Sequence, residues 1–174
     1  MAQKNEEKLE VIQQQLAKLN EKELSEVAHL LSLYGESSRT LHPDALPMHF
    51  LGRFLGITQH ADGTAEMELG LQNENTYGVA QGGAIYTLAD VAIGFKILKN
   101  LTEEEKVFTL ELKVNFIEKG QGSRLVAMPV VLRQGRSTVV CECTVVDDKG
   151  ALVAKALGTF YISGRHRARK EETQ

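Results

Sequence analysis

Between Ala84 and Phe95 the chain carries an almost wholly apolar run with a single charge in it, Asp90, and the run is opened by a glycine pair, Gly82-Gly83. A helix apolar on nearly every side has to be wrapped by other elements of the fold rather than laid on a surface. A lone carboxylate inside it is costly unless it is paired, hydrogen-bonded or used. Upstream lies a polar, turn-rich loop with Asn73, Glu74, Asn75, Thr76 and Gly78. A glycine pair at a helix start lets another molecule approach the first-turn N–H groups, which have no partner inside the helix. Those donors and the positive end of the helix dipole suit an oxygen that carries negative charge. The stretch therefore proposes an oxyanion-binding turn and a nearby acid or base on one rigid element. Two blander readings stand beside it: glycines that merely allow tight packing, and an Asp90 satisfied by a neighbouring N–H or cation.

Spacing limits how such a site can work. Gly82 and Asp90 are eight residues apart, roughly 12 Å along a helix at about 1.5 Å per residue. The two cannot both touch one reacting carbonyl within a single chain. If two copies pair about a twofold axis with these helices antiparallel, Asp90 of one copy reaches the Gly82 end of the other. The sequence thus predicts a homo-oligomer with its site between subunits.

Composition narrows the classes. At 174 residues a single domain with a sizeable core is expected. A net charge of −3 argues against a general nucleic-acid binder. The amino terminus, MAQKNEEKLE, has no apolar segment of the signal-peptide kind, and the run from Ala84 to Phe95 is too short to span a membrane. A cytoplasmic protein is expected. Cys141 and Cys143 stand at i and i+2 in strand-like sequence, so they share a face and read as small apolar core residues rather than as a disulfide or zinc pair. His29, His42, His49 and His60 show no ligand spacing, and no metal is expected.

In chain order, residues 3 to 34 read as two helices. Leu9, Ile12, Leu16 and Leu19 mark the first, a break is expected at Asn20, and the second is expected to stop at Gly35. Residues 36 to 47, with two prolines, read as a linker. His49–Gln59 and Thr64–Leu71 read as strands of a hairpin about Ala61-Asp62-Gly63. After the apolar helix, which ends near Asn100, come Lys106–Phe116, Arg124–Arg133, Ser137–Val146 and Ala151–Ser163, separated by turn-like segments at the spacing of an antiparallel meander. In the first of these, Val107, Thr109, Glu111, Lys113 and Asn115 alternate with Phe108, Leu110, Leu112, Val114 and Phe116. The fold class is α+β, an antiparallel sheet curled around one long helix. The expected organisation is a helical extension and linker over 1–47, a main domain over 48–163 and a charged tail over 164–174 that carries a short basic cluster.

Asn75-x-x-Gly78-x-x-Gln81-Gly82-Gly83, followed by six residues and Asp90, resembles the signature of hotdog-fold acyl-CoA thioesterases of the PaaI type, N-x-x-G-x-x-H-G-G and then Asp at the same spacing. The likeness continues through Thr109–Gly120, Gly135-Arg136-Ser137 and Gly150–Ala154, and covers roughly residues 48 to 163. It implies a dimer, or a dimer of dimers, with two interface sites for an acyl-CoA and no separate cofactor. By position, Gly82 gives its N–H to the thioester carbonyl. Asp90 of the partner copy acts as general base or nucleophile, Asn75 and Gln81 place substrate or water, and Thr109 stands where the family often has a water-orienting hydroxyl. Gly83 lies against the substrate, while Arg136, Ser137 and Thr138 open a strand after a glycine turn, where they suit the phosphates of coenzyme A. One departure matters: Gln81 replaces the family's histidine, and it can orient but not titrate near neutral pH. That keeps open a second class, an acyl-CoA-binding module without hydrolysis. A dehydratase on the same fold would ordinarily want a histidine beside the acid, and none is near Asp90 in sequence.

Overall fold

The computed structural model describes residues 2–39 and 48–164. The central element is the expected one, a helix over Gly82–Leu98, here α4. It is preceded by α1 (Ala2–Leu16), α2 (Glu21–Arg39), α3 (Phe50–Phe54), β1 (Ile57–Gln59) and β2 (Ala65–Glu68), and followed by β3 (Lys106–Phe116), β4 (Arg124–Gln134), β5 (Thr138–Asp147) and β6 (Leu152–Ser163). The six strands form one antiparallel sheet in the order β1-β2-β4-β5-β6-β3. The sheet wraps α4, whose Leu88, Ala89, Ala92 and Ile93 are sealed against Leu125, Val139, Val145 and Phe160. This is the hotdog arrangement, with the N-terminal helices added in front. Within the described residues no helix is long and apolar enough to cross a membrane.

The meander strands begin and end within one residue of expectation, because their turns carry the chemistry: Gly122 and Gly150 adopt positive φ, which non-glycine residues rarely do. Cys141 and Cys143 are fully buried and unpaired on the inner face of β5. Burial pushes their thiols up, to about 11 and about 12.

Four local expectations are corrected. The break near Asn20 is real, fixed by a reciprocal cap in which Glu23 N–H donates to Asn20 Oδ1 (3.0 Å) and Asn20 N–H to Glu23 Oε2 (2.8 Å). Yet α2 does not stop at Gly35; it runs to Arg39. A glycine inside a helix costs only about 1 kcal/mol relative to alanine, a small enough penalty for the helix to continue from a well-anchored preceding turn. Leu33 is buried, and Tyr34 packs on Phe50 (5.8 Å between rings) with the Arg53 guanidinium over its face at 4.2 Å. Next, His49–Gln59 is not one strand: its first half is α3, and a positive-φ turn at Gly56 (φ 72°) separates it from β1. The opposite strand is shorter than expected too, β2 ending at Glu68 and leaving Leu71 exposed. Finally, the alternation in β3 is broken by a bulge between Thr109 and Glu111. Across it the inward face switches from odd to even positions, so Val107 packs on the core before the bulge and Leu112 and Val114 after it. Residues 36–39 of the expected linker therefore belong to α2, and its remainder, 40–47, and the basic tail from Arg165 onward lie outside the described residues.

Candidate active site at the central helix

The loop before α4 is held by a residue that the sequence reading mentioned only in passing. Asn73 is buried, and its Nδ2 donates to the carbonyls of Leu55 (3.1 Å) and Glu68 (2.7 Å) while its Oδ1 accepts from Gly70 N–H (3.1 Å). Its own carbonyl accepts from Gln81 N–H at 2.8 Å, which ties the start of α4 to the body. Asn75 works one turn further on: its Oδ1 accepts from Tyr77 N–H (2.9 Å) and Val79 N–H (3.4 Å), closing the loop on itself. Asn75 is thus engaged locally through its oxygen.

Gln81 is the N-cap of α4, in extended geometry (φ −67°, ψ 138°), and its exposed side chain makes no capping bond. Its carbonyl takes the N–H groups of Ala84 and Ile85. Those of Gly82 and Gly83 find no acceptor among the described residues. Neither glycine has positive φ. A methyl at Gly83 would meet nothing within 4 Å, and one at Gly82 only the ring of Phe116 at 3.4–3.7 Å, an ordinary contact. Nothing inside the chain therefore requires glycine at either position. The two leave a pair of donors open to something that arrives from outside.

Two turns along the same helix, Asp90 is half-buried and accepts from the Thr109 hydroxyl, Oγ1 to Oδ1 at 2.8 Å. The pairing depends on the β3 bulge. Regular alternation would put Thr109 on the face of Glu111 and Lys113; the extra residue turns it towards the helix instead. Asp90 and Thr109 border a cavity of about 140 Å³ whose other walls are Val91, Gly94, Phe95, Leu98, Val107 and Phe160, with His49 at its mouth. His49 is the second residue that the sequence reading passed over, because it was weighed only as a metal ligand. Its signal was its place immediately before a short amphipathic turn, where a side-chain acceptor caps a helix.

Arg136 and Ser137 lie in the β4–β5 turn and Thr138 opens β5. The register pairs Thr138 with Tyr161 and Tyr161 with Phe108, so this turn stands at the Asp90 level of the sheet, not at the Gly82 level of its own chain. The opposite end of β3 brings Phe116 over Gly82, and midway the Tyr86 hydroxyl donates to the Leu112 carbonyl at 3.1 Å. The structure therefore gathers Asp90 and Thr109 in one place and Gln81, Gly82 and Gly83 in another.

Residues 77–154 match the sequence profile of the thioesterase superfamily. Two proteins of Saccharolobus solfataricus provisionally named esterases are similar in sequence: one is 35% identical over 58% of this chain and 72% of its own length. The chain belongs to the thioesterase superfamily. The other esterase is 31% identical over 56% of this chain, and the match spans 62% of that relative's length. Among solved structures of this fold, a Bacillus halodurans protein crystallised with CoA superposes with a TM-score of 0.71 at 23% identity, over 86% of this chain and 97% of its own. The matched segment begins in the loop held by Asn73 and ends in β6, so it contains α4 with both halves of the candidate site.

Proposed function

We propose that this thioesterase-superfamily chain hydrolyses an acyl-CoA thioester to the free acid and coenzyme A. The observation that carries the reading is the division of α4 into an open, glycine-lined start and a hydroxyl-oriented carboxylate two turns later. Two copies complete the site. The strand β3 is the outer strand of the sheet, paired only with β6 among the described residues, and it exposes Phe108, Leu110 and Phe116. Antiparallel pairing of β3 with its symmetry mate about Leu112–Lys113 sets Thr109 of one copy opposite Phe116 of the other. Asp90 then faces the partner's Gly82, the geometry that the helix spacing demands.

In this arrangement the N–H groups at Gly82 and Gly83 hold the thioester carbonyl and stabilise the oxyanion as it forms. The Asp90 carboxylate, oriented by Thr109, either attacks the carbonyl carbon or takes a proton from an attacking water. In both routes the C–S bond breaks and CoA leaves as the thiolate. The exposed Gln81 amide at the cap places the acyl group or the water, and the Arg136–Thr138 turn contacts the CoA phosphates. The Bacillus halodurans structure with CoA supports the carrier, and the esterase names of the sequence relatives support the reaction.

Gln81 favours one other reading, an acyl-CoA-binding module on the same fold, since its amide cannot relay a proton near neutral pH. A thiol-release assay over aliphatic and aromatic acyl-CoAs separates the two. Release with at least one substrate is expected; saturable binding with no release from any of them selects the module.

A further inference from the structure

At the mouth of the cavity beside Asp90 stands one exposed side-chain donor with no protein acceptor among the described residues. His49 caps α3, and its Nδ1 accepts from Gly52 N–H at 3.0 Å. The neutral ring therefore carries its proton on Nε2, and among the described residues nothing accepts from that nitrogen. The other hydroxyl or N–H side chain on the wall, Thr109, is already committed to Asp90. A second observation points to an occupant. Gly94 sits in the interior of α4, where alanine would stabilise the helix by about 1 kcal/mol, and a methyl there would meet nothing within 4 Å. The chain keeps open a space that a more favourable residue would narrow.

We infer that His49 is a specificity-determining residue: its Nε2–H reads a neutral hydrogen-bond acceptor, a hydroxyl or ether oxygen, on an acyl group seated in the apolar cavity between α4, β3 and β6. The inference rests on the thioesterase reading and deepens it by naming a class of acyl group. The walls supply Val91, Phe95, Leu98, Val107 and Phe160 for a compact hydrocarbon portion. The volume of about 140 Å³ is close to that of an engineered apolar cavity known to bind benzene, about 150 Å³, so one ring or a short chain fills it. An anionic end is disfavoured, because Asp90 shares the cavity and like charges repel in a confined apolar site. Position comes from the sequence itself: Tyr34, Phe50 and Arg53 lock α3 against α2, and α3 holds the imidazole through its own cap.

The test reads binding, not hydrolysis, so it stays separate from the thioesterase reading. CoA thioethers bearing ω-hydroxyalkyl chains of three to six carbons are titrated calorimetrically beside the hydrocarbon chains in which methyl replaces hydroxyl. The wild-type chain is expected to prefer at least one hydroxylated member by about tenfold, the size of one well-placed hydrogen bond. His49→Asn preserves an N-cap acceptor but is too short to reach the cavity. It is expected to bring that preference to about one while leaving hydrocarbon affinity and melting temperature unchanged. Gly94→Ala, which leaves His49 in place, is expected to weaken both members of each pair. The inference fails if the wild type shows no preference at any length, if His49→Asn weakens both members equally, or if Gly94→Ala leaves both unchanged.

Discussion

The two flanks of α4 are built to different degrees of completion. On the side of β4 and β5 every space is filled: Leu88 and Ile93 meet Leu125, Val139, Cys141 and Val145 with essentially no exposure. On the side of β3 the surface stops short. The strand has a free edge, Phe108, Leu110, Phe116 and Ile117 are exposed, and the donors of Gly82 and Gly83 have no acceptor among the described residues. Burying an apolar side chain stabilises a fold by roughly 1.5–3 kcal/mol, so exposing three on one strand and a fourth just after it is a sizeable forfeited stabilisation. It makes sense where another copy supplies the missing surface. On the proposed reading the filled flank carries stability and the unfinished flank carries chemistry, and substitutions should separate the two.

The strongest attempt to break that division is Asp90→Asn. Turnover is expected to fall by roughly 10²–10⁴-fold, the usual loss when a positioned acid or base is removed, with melting temperature and assembly unchanged. Steady-state thiol release alongside a thermal melt checks both halves, and an unaltered rate would end the case for Asp90. Gly82→Pro comes next. Position 82 is the first residue of α4, where proline fits and deletes only the N–H, and Gln81 already has the extended backbone that a following proline requires. A kcat loss of roughly 10²–10³, about 2.7–4 kcal/mol, is expected; a wild-type kcat would remove the oxyanion role.

Mixing these two inactive variants sharpens the comparison, because it asks whose Asp90 serves whose Gly82. With free exchange, half the dimers are mixed and each has one intact site of two, so activity should return to about a quarter of wild type. Recovery of none, under conditions where exchange is demonstrated by differently tagged chains, places both groups in one subunit. The smallest effect lies on the filled flank. Burial raises the folded-state pKa of Cys141 and Cys143 from 9.0 to about 11 and about 12. Their contribution to stability is therefore fully present below pH 9 and is lost as pH rises through those higher values. Melts between pH 8 and 11 should show a decline that Cys141→Ala/Cys143→Ala flattens, and below pH 9 the native thiols should resist alkylation.

Most of the filled flank was legible in the sequence because it obeys simple periods. An apolar run broken by a single charge marked α4, and alternation between glycine turns marked β4, β5 and β6. The unfinished flank was legible only in part. Gly82 and Asp90 could be singled out from spacing, and Gln81 and Thr109 from the family resemblance, but that Thr109 stands opposite Asp90 could not be read from periodicity, since strict alternation sends it outward and the bulge that reverses it has no marker in the residues around Leu110. His49 was hidden for a different reason: its role depends on α3, and a five-residue helix is too short for periodicity to distinguish from a strand. Gly35 misled because a weak local preference was set against the aromatic packing of Tyr34, which only the folded chain reveals.

The extra residue in β3 has a consequence for how this chain tolerates change. On the Thr109 side of the bulge, odd positions look towards the helix; on the Lys113 side, even ones do. A one-residue deletion at Leu110 would tidy the ladder and still leave Thr109, Leu112 and Val114 on the inner face, whereas a regular ladder that kept every residue would swing Thr109 away from its carboxylate. The strand should therefore accept the loss of this residue more readily than a forced regular pairing of its present length, and a designer who flattened the bulge without shortening the chain would gain a neater sheet at the expense of the Thr109–Asp90 contact.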